Sequence, residues 1–260
     1  MSKIKQSFCY PTFMRGDDLS LEQLIKGAAE IGYAGVELWG RDKAPFDDIV
    51  HLAKENGMVI PSMIGHDSLP YGLNKRENHA RIEQELLESI ELAAKLGIPG
   101  LICFSGNRDG LDDEAGIDIV SEGLARVKGV AEENAITLNL ELLNSKVNHP
   151  DYQCDHTAWG VEVCKRVGSP KVKLLYDIYH MQIMEGDLIR TLRDNIEHIG
   201  HFHTAGNPDR KDLDEEQEIY YPSVMRAIAD TKYDMYVGHE FTPKGDPLGA
   251  LRSAFDVCDV

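Results

Sequence analysis

Positive charge is scarce in this chain. Its 27 Lys and Arg residues stand against 44 Asp and Glu, a formal net charge of −17 over 260 residues. Proteins that track a phosphate backbone carry a basic footprint, so nucleic acid is excluded as an expected partner. An anionic membrane surface is disfavoured on the same ground. Cysteine is also sparse: Cys9, Cys103, Cys154, Cys164 and Cys258 are an odd set with no C-x-x-C pair. That pattern argues against a disulfide framework or a thiolate zinc site, and for reduced thiols in the cytoplasm. No apolar run approaches the roughly 18 residues of a membrane helix, and Met1–Lys5 leads into a strand-like run without a signal-peptide core. No G-x-G-x-x-G occurs, so the phosphate loop expected of an open doubly wound sheet is missing.

What the chain does contain is alternation. Hydrophobic residues at 42% and charged residues at 27% suit a sizeable core. Strand-like runs fall near Lys5–Tyr10, Gly35–Trp39, Val59–Ile64, Leu101–Phe104, Thr137–Leu142, Val172–Asp177, Ile199–Thr204 and Met235–Glu240. Amphipathic helical runs separate them and follow the last. Ser20-Leu21-Glu22-Gln23 has the form of a capping box, with Leu21, Leu24, Ile25 and Ala28 on one face and Gly32 as the stop. Gly97-Ile98-Pro99-Gly100 and Gly168-Ser169-Pro170 end two further helices, and Pro247 opens the last. Eight strand–helix units in 260 residues predict a single α/β domain, residues 1–260, folded as a (β/α)8 TIM barrel.

The polar residues of the strands locate a candidate site. Side chains alternate faces along a strand, so Thr137, Asn139 and Glu141 share one face while Leu138 and Leu140 share the other. Helices cover the outer, apolar face, so the polar set points inward and its last member reaches the C-terminal mouth, where barrel active sites lie. Four consecutive strand ends finish this way: Glu141, Asp177, His203 and Glu240. A lone strand-end carboxylate usually caps a helix, and a lone strand His is usually a bonded core residue. Four in succession point to a metal site. Three carboxylates and one imidazole suit one divalent ion, Mg²⁺, Mn²⁺ or Co²⁺, with Zn²⁺ also admitted. Without an ion the carboxylates repel inside the barrel. Around them, His180 either touches substrate or caps the following helix. Arg210 either offers a cationic fork or is a solvated loop charge, and His66 is a candidate for the pocket wall. His201, one layer deeper, and Glu37 read as supporting groups inside the barrel. Asp214-Glu215-Glu216 reads as solvated surface.

The segments Asn139–Ser145, Tyr176–Gln182, Gly200–His203 and Gly238–Gly245 resemble the xylose isomerase-like TIM-barrel superfamily. The run from Asp177 to Leu188, D-I-x-H-x-Q-I-M-x-G-x-L, is similar to its hydroxypyruvate isomerase branch. The likeness extends from about Ser7 to Phe255 and is strongest after Leu138. It implies one divalent metal held by Glu141, Asp177, His203 and Glu240. Two departures bear on the substrate. Hydroxypyruvate isomerases typically carry Gln at the third ligand position, whereas His203 stands here, as in the ketose 3-epimerases of the superfamily. Those epimerases carry another Glu shortly after the first ligand, and Leu142–His149 contains none.

The layout implies proton transfer. A metal bound by two adjacent substrate oxygens acidifies the neighbouring C–H, and one carboxylate removes that proton to give a cis-enediolate. Return to the adjacent carbon isomerises, and return to the same carbon from the other side epimerises. Glu141 and Glu240 are the expected acid/base pair, with His180, Arg210 and His66 around the substrate. The expected activity is a hydroxypyruvate isomerase-like interconversion of a small hydroxy-keto or aldehyde acid or sugar, without phosphate because no phosphate cradle is visible. The alternatives are a ketose 3-epimerase or an inosose-type dehydratase. An abasic-site endonuclease is opposed by the acidic balance, and a non-catalytic sugar-binding barrel is opposed by the cost of opposed carboxylates. Resemblance also implies a homo-oligomer, dimer or tetramer, formed by loops at the mouth. Tyr71, Leu73, Tyr220 and Tyr221 are candidates for that surface or for covering the pocket.

Overall fold

The computed structural model describes residues 4–14, 19–40 and 45–260; Met1–Lys3, read above as lacking a leader, lie outside them. Eight parallel strands form the barrel: β1 (Lys5–Cys9), β2 (Gly35–Glu37), β3 (Ser62–Ile64), β4 (Gly100–Cys103), β5 (Thr137–Glu141), β6 (Val172–Asp177), β7 (Ile199–Thr204) and β8 (Tyr236–His239). Their order is β2-β1-β8-β7-β6-β5-β4-β3. Single bridges Gly35↔Val59 and Leu38↔Met63 bring β2 to β3 and nearly close the ring. The expected run Val59–Ile64 shortens to β3 because Pro61 has no N–H to give to a ladder and Val59 keeps only its one bridge. Among the described residues no helix is long and apolar enough to cross a membrane.

Helices occupy the connections where the periodicity places them. The Ser20 hydroxyl accepts from the Gln23 N–H while the Gln23 side chain accepts from the Ser20 N–H, starting helix Leu21–Ile31. Helices His79–Leu96 and Thr157–Val167 stop at Gly97 and Gly168, both left-handed. Asp246 caps Pro247–Cys258 through the Gly249 N–H. These helices press on the outer strand faces, where Leu138, Leu140, Leu174 and Phe202 are wholly buried.

One irregularity sets the register of the site. Leu174 pairs with Ile199 but Leu175 pairs with His201, so Gly200 is an extra residue in β7. This β-bulge places His203 beside Asp177. Uninterrupted pairing from Leu174 would put Phe202 there instead. A Cβ on Gly200 would lie 2.2 Å from Asn139 Oδ1, so only glycine fits against that side chain.

Two of the four residues expected at the mouth surface are in the core. Leu73 is fully buried, its backbone N–H bonded to the Phe104 carbonyl. Tyr221 is also buried, its hydroxyl donating to the Ala205 carbonyl and accepting from the Ala205 N–H. Tyr71 and Tyr220 are exposed. Asp214 and Glu216 lie at the surface and together hold the Lys244 ammonium, each at 2.6 Å.

Candidate metal centre

The four strand ends converge. Glu141, Asp177, His203 and Glu240 are all buried, and each offers one ligand atom within 4.8 Å of the others. Glu141 ends β5, Asp177 ends β6, His203 lies in β7, and Glu240 follows β8 directly. His203 Nδ1 has no hydrogen-bond partner and lies 3.4 Å from Glu240 Oε2 and 3.7 Å from Glu141 Oε1. A buried nitrogen without a partner, aimed at carboxylates, is costly as it stands. The donor set of three hard oxygens and one imidazole therefore fits a divalent ion.

The electrostatics separate the carboxylates. Burial lifts the Asp177 carboxyl to about 7, against the pull of Arg210. Burial, with repulsion from Glu240, also raises Glu141, although His203 and Arg210 work the other way. Burial acts to raise Glu240 as well, but Arg210 and His203 outweigh it and hold that carboxyl down at about 2. Burial opposes charging of His203, yet Cys9, Glu240 and Glu37 together push it well above the usual imidazole range.

Arg210 is part of the cluster. Its Nη2 donates to Glu240 Oε2 and lies 4.0 Å from Asp177 Oδ2. The guanidinium also stands 5.7 Å from the centre of the Tyr179 ring. Trp39 Nε1 donates to the other oxygen, Glu240 Oε1, at 3.1 Å. Trp39 was legible only as a neighbour of Glu37, and nothing local in the sequence pairs it with a residue 201 positions away.

His180 and His66 hold different places from the strand ends. His180 lies in helix Ile178–Met184, wholly buried, and its backbone N–H is capped by Asp177 Oδ1 at 3.0 Å. Its Nδ1 accepts from the Asn144 side chain and backbone, which leaves Nε2–H without a partner, 3.7 Å from Asp177 Oδ2. His66 has both ring nitrogens on backbone: Nε2 accepts from the Phe104 N–H at 2.9 Å and Nδ1–H faces the Asp67 carbonyl at 3.1 Å. It ties the β3 loop to the end of β4, behind the wall that Phe104 forms.

A cavity of about 200 Å³ opens onto the cluster. Glu141, Glu240 and Arg210 give its polar side, and Trp39, Ile64, Ile102, Phe104 and Leu143 its apolar side. Leu69 and His149, both unmarked in the sequence, complete the lining. Burial and Arg210 push the His149 imidazole down to about 4, so it is neutral at pH 7.

Residues 25–258 match the family model described as xylose isomerase-like TIM barrel. A putative hydroxypyruvate isomerase from Mus musculus is 31% identical over 251 residues, covering 91% of this chain and 90% of its own. Hydroxypyruvate isomerase from Escherichia coli K12 is 27% identical over 237 residues, covering 86% and 89%. Among solved structures, an AP endonuclease of family 2 from Brucella melitensis superposes with a TM-score of 0.82 at 26% identity, over 97% of this chain and 98% of that one.

Proposed function

We propose that this chain, which belongs to the xylose isomerase-like TIM barrel family, is a divalent-metal-dependent isomerase of a small hydroxy-keto or aldehyde acid, of the hydroxypyruvate isomerase type. The similarity to isomerases over about nine-tenths of the chain supports a sugar-isomerase-type enzyme. The observation that carries the finer reading is the buried, unpartnered His203 Nδ1 clustered with three carboxylates, two of which, Glu141 and Glu240, line a small cavity. Glu141, Asp177, His203 and Glu240 would hold one Mg²⁺, Mn²⁺ or Co²⁺, with Zn²⁺ also compatible with the donors. When bound, the ion would polarise the substrate carbonyl and acidify the adjacent C–H.

The chain's own groups suit the proton transfers. Glu141 and Glu240 come from different strands and both line the cavity, the placement an acid/base pair needs. Glu240 takes the C–H proton, the C–H electron pair becomes the C=C bond of an enediol, and the carbonyl π pair moves to its oxygen. The hydroxyl proton passes to that former carbonyl oxygen, Glu141 delivers a proton to the adjacent carbon, and exchange with solvent returns both carboxyls to their starting states. Arg210, at the cavity wall, suits a substrate carboxylate or hydroxyl. His180 Nε2–H is a spare donor beside Asp177, and His66 stiffens the wall. The cavity, at about 200 Å³, is smaller than the roughly 300–1,000 Å³ of drug-sized sites and favours a three- or four-carbon substrate. Five free, buried thiols suit a cytoplasmic setting.

Incubation in D₂O with Mn²⁺ and hydroxypyruvate or tartronate semialdehyde tests the reading: deuterium should enter carbon during turnover. Glu141→Gln and Glu240→Gln should each lose about 10²–10⁴-fold in turnover with the fold retained. A fully active Glu240→Gln enzyme would overturn the assignment. A second reading, a ketose 3-epimerase, is favoured by His203 standing where the isomerase branch typically has Gln. Keto-sugars in the same assay separate the two, because epimerisation returns deuterium to the carbon that lost the proton.

A further inference from the structure

Behind His203, on the side away from the cavity, lies a carboxylate that the chemistry above does not use. Glu37, at the end of β2, is 1% exposed. Its Oε2 stands 3.0 Å from His203 Nε2 and 3.0 Å from His201 Nε2. Its Oε1 accepts from the Ser7 hydroxyl at 2.5 Å, and the Cys9 thiol lies 3.9 Å from Oε2. An ionised carboxylate only accepts hydrogen bonds, so the ring nitrogen facing it carries the hydrogen. On His203 that nitrogen is Nε2. The other, Nδ1, has no partner and points at Glu141 and Glu240; in the charged imidazole it also carries a proton, which a bound ion would displace to take up the lone pair.

We propose that Glu37 is a positioning residue for the metal centre, fixing His203 in the Nε2–H tautomer and the ring orientation that present Nδ1 to the ion. The inference rests on the metal-dependent reading above and adds a residue from the opposite half of the barrel. Carboxylate–imidazole–metal relays of this kind orient ligands and raise their basicity. The surroundings are shaped around the contact. A Cβ on Gly238 of β8 would lie 2.1 Å from Glu37 Oε1 and 3.0 Å from His203 Cδ2, so β8 leaves this space for the pair. Cys9, Glu37 and His203 also have donor types that suit an ion of their own. Their facing atoms, however, already contact one another, and of this trio only His203 Nδ1, on the other side of the ring, lacks a partner.

Calorimetric titration of Mn²⁺ into metal-stripped protein tests the proposal, with Co²⁺ absorption as a report on ligand geometry. Glu37→Gln should weaken Mn²⁺ binding about 10–100-fold and change the Co²⁺ spectrum, whereas His201→Gln, which touches Glu37 but is no ligand, should do so far less. A carboxylate that merely satisfied buried groups would give two variants with lowered melting temperatures and wild-type Mn²⁺ affinity, and that result would overturn the proposal. Should Glu37→Gln fail to fold, ¹⁵N-histidine spectra of the wild type with Zn²⁺ decide the same point. His203 should show a protonated Nε2 and a metal-bound Nδ1, and the reverse assignment would overturn it. Wild-type protein that takes up no divalent ion would instead defeat the parent reading, a result distinct from either.

Discussion

Arg210 stands where an ion would otherwise be needed to balance charge. With no ion bound, its guanidinium touches Glu240 and lies near Asp177, and His203 supplies the remaining positive charge. Arg210→Ala leaves three buried carboxylates against one imidazole. Unpaired buried groups cost about 1–3 kcal/mol each, and the partial exposure of Arg210 favours the low end. The metal-free variant should therefore melt below the wild type, and saturating Mn²⁺ should stabilise it by a larger increment. Thermal melts of both proteins with and without Mn²⁺ check this, and equal increments would contradict it. The clustering of Glu141, Asp177, His203 and Glu240 was legible in the sequence because strand ends and alternation say which side chains reach the mouth. Their partners were not. Glu37 meets His201 and His203 across 164 and 166 positions, and periodicity says which face a residue occupies but not what stands across the barrel. For the same reason His180 and His66 were legible as neighbours of the site, while their ties to Asn144 and the Phe104 N–H were not.

All eight strands fall within a few residues of where alternation and breakers place them, because each run is bounded by Gly, Pro or polar turns. The β7 bulge is different in kind. It is a property of two strands together, visible only when Leu174 and Leu175 are matched to Ile199 and His201. Gly200→Ala tests its importance. The new methyl would lie 2.2 Å from Asn139 Oδ1 and 3.1 Å from the Lys173 Cβ. Overpacking of this sort costs about 1–3 kcal/mol, and any shift of β7 carries His203 with it. Urea unfolding should show the loss, and adding Asn139→Ala in the same chain should restore part of it. Strictly additive penalties would mean that the two residues do not compete for space.

At the scale of the whole molecule, buried neutral imidazoles set the response to acid. Burial pushes His66 to about 4 and His239 to about 3, from an ordinary value of 6.5. His239 is held by Thr204 at 2.6 Å and Gln6 at 2.9 Å. Because the folded values lie below the unfolded one, the unfolded chain takes up these protons first. The contribution to stability is full above pH 6.5 and falls as the pH drops towards 4, by about 1.4 kcal/mol per unit for each histidine. Asp177, raised from 3.8 to about 7, contributes in the opposite sense over the same range, so the histidine contribution is read as a difference: the change in urea midpoint from pH 7 to pH 5 should be less unfavourable in His239→Gln than in the wild type, and identical changes would contradict the assignment. The scarcity of positive charge was legible from composition alone. The placement of a few acids inside the barrel needed the strands to be read as a ring.

All four donors come from β5 to β8 and the loop after it, whereas Ser7, Cys9 and Glu37 come from β1 and β2. On the metal-dependent reading proposed above, a nascent chain would complete its ligand set only with its last strand. Until the opening strands dock, His203 would also lack the Glu37 and Cys9 contacts on its Nε2 side. Tight capture of a divalent ion would then be a signature of completed ring closure, a chemical record that the first and last strands of the chain have met.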